Sequence, residues 1–130
     1  MWNRDDAVTH LNSHLMNESH GHCAEYTRKA VEAGGVTLVR HTSAKDYGSC
    51  LQAVGFVDLG QFTGPYEAGD VGIVSPIPHH PHGHMAMFNG ENWISDFTQL
   101  HGLYPGAAYR KLKPAFAIYR YGSANPINPT

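Results

Sequence analysis

Four short segments in the second half of the chain, "GDVGIVS", "HMAMF", "WISDF" and "FAIYRY", most narrow what it can fold into. Each is rich in β-branched or aromatic residues and bounded by Gly, Pro or Asn, so each reads as a strand of a few residues. "FNGEN" between the second and third is a hairpin turn, because Asn89 and Gly90 tolerate positive φ. The first half carries a different pattern. A short helix capped by Asp5 or Asp6 is expected through about Met16, and a second from His22 or Cys23 through "CAEYTRKAVEA", stopped by Gly34 and Gly35. "TSAKDYGSCLQAVGF" reads as a third helix, with Tyr47, Cys50, Leu51 and Val54 on one apolar stripe. Helices first and an antiparallel sheet after them predict an α+β domain. No repeat or linker divides the 130 residues, so one domain spanning 1–130 is expected.

Composition excludes several classes. A hydrophobic fraction of 42% against 15% charged is that of a globular chain with a real core. The net charge of −2 leaves no basic field for nucleic acid or an anionic membrane, and no apolar run approaches the ~20 residues of a membrane span. The N-terminal stretch lacks the basic start and apolar centre of a signal peptide. Either the chain stays in the cytoplasm, or it leaves by a route that reads no such signal, or the sequence begins after processing. Two cysteines are too few for a disulfide scaffold, although one Cys23–Cys50 bridge is possible on counting alone.

Cys23 lies at an expected helix start, in "SHGHCAEYTRKA". A first-turn thiol faces unpaired backbone N–H groups and the positive end of the helix dipole, both of which favour the thiolate. The plainer reading is a small buried cysteine. A nucleophile needs a base, and the base an orienting group. The hairpin "GHMAMFNGENWISDF" offers both. With "NGE" as a three-residue loop, Phe88 pairs with Asn92 and His84 stands opposite Asp96, their Cβ atoms roughly 5 Å apart. In another register the orienting role passes to a further polar residue, Gln99 first among them. Cys50, on the apolar helix stripe, reads as core.

Four histidines, His79, His80, His82 and His84, crowd the stretch "PIPHHPHGHMAM". Only His84 begins a strand. The other three fall in a Pro-rich loop and read as solvated or as lining a cleft mouth. A metal-binding module is the rival, because His-rich tracts bind zinc, nickel or copper, here with help from His20 and His22. A catalytically dead binding module is a third class. "YRKLK", 109–113, reads as a solvated connector, and Tyr66, Tyr104 and Tyr109 as possible groove residues.

In the order "GHCAEYTRKAVEAGG", "GDVGIV", "GHMAMFNGENWISDF", the chain resembles the NlpC/P60 and CHAP cysteine peptidases and amidases over about residues 19–121. Small size and the missing signal peptide make it most similar to type VI secretion amidase effectors, with a CHAP-type phage or housekeeping lysin as the alternative. The resemblance implies a papain-like fold, helices packed on an antiparallel sheet. It implies Cys23 as nucleophile, His84 as base, Asp96 as third residue and Asp70 as structural. An oxyanion site would use the Cys23 N–H and a second donor that the sequence does not name. The implied substrate is the diaminopimelate-containing peptide of peptidoglycan, cut at a stem or crosslink amide with no cofactor and no metal. A cognate immunity protein is implied as partner. So are synthesis in the bacterial cytoplasm and action in the periplasm of a target cell.

Overall fold

The computed structural model describes residues 2–14 and 23–122. Helix α1 (Arg4–Ser13) is capped by Asn3, whose side chain accepts from the Asp6 N–H at 3.0 Å. Asp5 and Asp6, expected as caps, instead sit in the first turn, where carboxylates face the positive end of the dipole. Met16 and His22, the other boundaries expected here, lie outside the described residues. Helix α2 (Cys23–Ala33) ends at Gly34 and Gly35 as its composition predicts. Gly35 has φ 112°, and a Cβ on Gly34 would stand 2.3 Å from Trp2 Nε1. Trp2 fills that space and donates to the Val31 carbonyl at 2.8 Å. The third helical segment is split into a 3₁₀ turn (Ala44–Asp46) and α3 (Gly48–Ala53). Its stripe is real: Tyr47, Cys50 and Leu51 are all buried.

Among the described residues six strands follow: β1 (Phe56–Asp58), β2 (Val71–Val74), β3 (His84–Phe88), β4 (Trp93–Ile94), β5 (Thr98–Gln99) and, after helix α4 (Ala107–Leu112), β6 (Phe116–Tyr121). They form one antiparallel sheet in the order β1-β6-β2-β3-β4-β5. Strand β1 and helix α4 were not expected. The helix holds most of "YRKLK" and buries Tyr109, so that stretch is more than a connector.

Strand alternation loads both faces of the sheet. Val71, Ile73, Met85 and Met87 pack beneath α1, α2 and α3. Ala86, Trp93 and Ile118 meet Leu103 and Tyr109 on the other side. Asp70, 1% exposed, anchors the entry to β2. Its Oδ1 and Oδ2 accept from Arg120 Nε and Nη2 at 2.9 and 2.7 Å, and Oδ2 accepts from the Glu67 N–H at 2.8 Å. This is the structural role expected of it.

The β3–β4 register differs from expectation. Phe88 pairs with Trp93, not Asn92, around the four-residue loop 89–92. The cause is the Asn89 side chain, whose Oδ1 accepts from the N–H groups of Glu91 and Asn92 at 2.9 and 2.8 Å and sets a wider turn. Shifting the pairing by one residue reverses which side chains share a face. Asp96 is therefore not His84's cross-strand partner. Strand β4 stops at Ile94, and Asp96 lies in a tight turn closed by Ser95 N–H donating to the Phe97 carbonyl at 3.0 Å.

Candidate active site

The site forms where the N-terminus of α2 meets the start of β3. Thr27 Oγ1 donates to the Met85 carbonyl at 3.3 Å and holds the helix against the strand. Cys23 is thereby half-buried and lines two adjoining cavities, of about 300 and 490 Å³. His84 lines the larger one with Tyr109 and Phe97. Sequence order separates Cys23 and His84 by sixty-odd residues, and the fold brings both to one cleft.

His84 is buried and donates from Nε2 to Gln99 Oε1 at 2.6 Å. Cross-strand pairing explains the meeting. Gln99 pairs with Trp93, and Trp93 with Phe88, so all three share a sheet face with His84, four residues before Phe88. The Gln99 amide nitrogen donates to the carbonyls of Gly102 and Leu103, each at 2.9 Å. That fixes which end of the amide faces the ring. An acceptor on Nε2 requires a proton there, so neutral His84 keeps a bare lone pair on Nδ1. The tautomer of His84 is thus set by two backbone carbonyls acting through one glutamine.

Burial governs the protonation of both groups. It lowers the His84 pKa to about 4, against the raising effects of the Gln99 hydrogen bond and the Asp96 charge. It raises the Cys23 pKa, outweighing backbone hydrogen bonds from Met85, Ala24 and Cys23 itself that favour the thiolate. The expectation of a depressed thiol is corrected: the helix start acts in the foreseen direction, but desolvation is the larger effect. Thiol and imidazole are both neutral near pH 7. Asp96, fully buried, acts electrostatically on both and raises both pKa values.

The remaining histidines divide. His79, His80 and His82 are exposed on the Pro-rich loop and line the larger cavity. His82 also borders the smaller one. Its Nδ1 is hydrogen-bonded to Ser43 Oγ, and its carbonyl accepts from the Lys45 N–H at 3.0 Å, tying the loop to the helical layer. Among the described residues no three His, Cys, Asp or Glu converge as a metal site, and His20 and His22 lie outside them. Both cysteines are free, and Cys50 is core, with His41 Nε2 at 3.1 Å from its sulfur. Tyr66 and Tyr104 pack in the second core, while Tyr109 reaches the cleft. Gln99 is buried behind the His84 ring and lines neither cavity, whereas Tyr109 lines the larger one; the sequence named the first only as an alternative orienting residue and the second only as a groove candidate. The available signal was the polar Gln99 just beyond an aromatic strand.

Helices in front of an antiparallel sheet, with a cysteine and a histidine facing one cleft where they join, define a class: a small α+β protein with a thiol–imidazole cleft. Similarity narrows it further. A crystal structure of the native type VI effector–immunity complex Tae3–Tai3 from Ralstonia pickettii matches with a TM-score of 0.85 and 50% identity, covering 92% of this chain and 99% of that chain. The selenomethionine form of the complex gives 0.82 and 52%, covering 88% and 98%. The chain belongs to this type VI effector family. No protein-family model and no curated protein matches it. Among the described residues no helix is long and apolar enough to cross a membrane.

Proposed function

We propose that the chain is one catalytic domain, 1–130, of a type VI antibacterial effector, and that it is a cysteine-dependent peptidoglycan amidase of papain-like, NlpC/P60 character. The observation that carries this reading is the shared cleft of Cys23 and His84, with Gln99 fixing the ring so that Nδ1 is the basic nitrogen. His84 Nδ1 takes the Cys23 proton as the thiolate attacks an amide carbonyl of a diaminopimelate-containing stem peptide or crosslink. Because both groups start neutral, proton transfer accompanies attack. Asp96 stabilises the imidazolium that forms, and so serves as third residue through its field while Gln99 holds the ring. Backbone N–H groups around Cys23 stabilise the oxyanion, one donor being worth about 3 kcal/mol in such sites. Protonated His84 then gives its proton to the leaving amine, and water hydrolyses the thioester. None of these steps calls for a cofactor.

The similar structures are effector–immunity complexes, which supports a cognate immunity protein as this chain's partner. Secretion into a rival's periplasm follows from the same reading. The test is mass spectrometry of purified sacculi digested with wild-type protein and with Cys23→Ala. New peptide fragments with the wild type alone are expected. Fragments from both proteins, or from neither, would rule the assignment out.

A further inference from the structure

We propose that the two cavities meeting at Cys23 are unlike halves of one peptide groove, and that Arg40 in the smaller half binds a free carboxylate on the acyl side of the scissile amide. This rests on the amidase reading above and assigns the direction of the substrate.

The two halves differ in charge. The lining of the larger cavity contains no Asp, Glu, Lys or Arg and includes Phe97, Pro105 and Tyr109. The smaller one is lined by Arg28, Arg40 and Glu25, with His41 and His82 beside them. Most of these charges are already engaged. Glu25 accepts from Lys29 at 2.8 Å, and Arg28 Nη1 donates to Glu32 at 2.7 Å. Glu32 is held in turn by the Leu38 N–H at 3.1 Å. Arg40 is exposed and makes no ion pair or side-chain hydrogen bond among the described residues. It is an uncommitted guanidinium on the wall of a cavity that also contains the nucleophile. A planar fork of N–H donors matches a carboxylate in two parallel hydrogen bonds, and an ammonium does not.

Direction follows from proton delivery. The group that receives the proton from His84 is the leaving amine, and it must lie within hydrogen-bond reach of the imidazole. His84 lines the larger cavity and not the smaller one. The amine-side segment therefore occupies the larger, uncharged cavity, and the acyl-side segment the smaller, cationic one. His82, common to both, marks the boundary and is held in place through Ser43.

The test is calorimetric binding to the full chain carrying Cys23→Ala, using two synthetic stem peptides. They are identical except that the acyl-side carboxylate is free in one and a carboxamide in the other. The free carboxylate should bind roughly tenfold to a hundredfold more tightly, the range for a hydrogen bond to a charged group. Adding Arg40→Gln should erase that preference and leave carboxamide binding unchanged, while Arg40→Lys restores part of it. Equal binding of the two peptides, no binding of either, or a preference that survives Arg40→Gln overturns the proposal. Turnover of the same peptides by the wild type reports separately on the amidase reading. Binding with the expected preference but no cleavage would refute that reading and, with it, the assigned direction, leaving only Arg40 as a carboxylate-binding residue.

Discussion

Gln99 Oε1 lies 2.6 Å from His84 Nε2, and Gln99 is itself held by the Gly102 and Leu103 carbonyls. One ring nitrogen is committed to this chain of hydrogen bonds, so in the proposed mechanism the proton from Cys23 goes to the other, Nδ1. Gln99→Leu keeps similar bulk and removes the acceptor. Turnover of purified sacculi should fall on the order of 10²-fold, the range for a misplaced general base. The protein should stay folded but lose about 1–3 kcal/mol, because a buried N–H is left unpaired. Wild-type turnover in Gln99→Leu would remove the glutamine from this role.

Asp96→Asn separates field from anchoring. Asp96 raises the pKa of both His84 and Cys23. Removing its charge makes the imidazolium harder to form and the thiolate easier. Turnover should drop roughly tenfold or more, while alkylation of Cys23 by iodoacetamide at fixed pH becomes faster. If both rates move together, Asp96 acts by holding geometry rather than by charge.

Alkylation of the wild type reads the thiol directly. Cys23 is half-buried and opens onto two cavities, whereas Cys50 is buried in the core. Iodoacetamide should modify Cys23 first, identified by peptide mapping. Because burial raises the Cys23 pKa above its ordinary value, the rate should keep climbing through the alkaline range. A plateau reached near pH 6 would instead reveal a preformed thiolate–imidazolium pair.

The buried His84 makes stability depend on pH with a definite sign. Its folded pKa is about 4, against an ordinary 6.5. Between those values the unfolded chain takes up a proton that the folded chain refuses, so stability falls as pH drops from about 6.5 to about 4. The loss from this group is about 3 kcal/mol. Urea unfolding at pH 7, 5.5 and 4 should show it, and His84→Gln should flatten that slope. The basic form of His84 persists over the same window, so the acid limb of kcat/KM should lie near pH 4 rather than 6.5.

Asp70 and Arg120 form a pair with the carboxylate 1% and the arginine side chain 12% exposed. Asp70→Ala leaves that guanidinium without its main partner and should cost about 3–5 kcal/mol, measured by urea denaturation at pH 7. Activity per folded molecule should be nearly unchanged, because the pair lies outside the residues lining either cleft cavity. A large loss of turnover at full stability would contradict its structural assignment.

Much of the architecture was legible locally. Strands "HMAMF" and "FAIYRY", the body of α2 and the helices-then-sheet order follow from apolar periodicity and from Gly, Pro and Asn punctuation, which act over a few residues. Cys23 and His84 could be singled out because a cysteine at a helix start and a histidine opening a strand are local features too. The register of the hairpin was less accessible. It turns on one side chain, Asn89, capturing two backbone N–H groups, and a one-residue change moved Asp96 off the His84 face and brought Gln99 onto it. Helix α4 is six residues long between Gly and Pro segments, too short for its periodicity to stand out. What only tertiary structure decided was protonation. The helix start favours a thiolate at Cys23, and an isolated imidazole titrates near neutrality. Packing α2 and β3 against the rest of the core removes water from both groups, and this desolvation outweighs the local hydrogen bonds and charges and leaves both neutral.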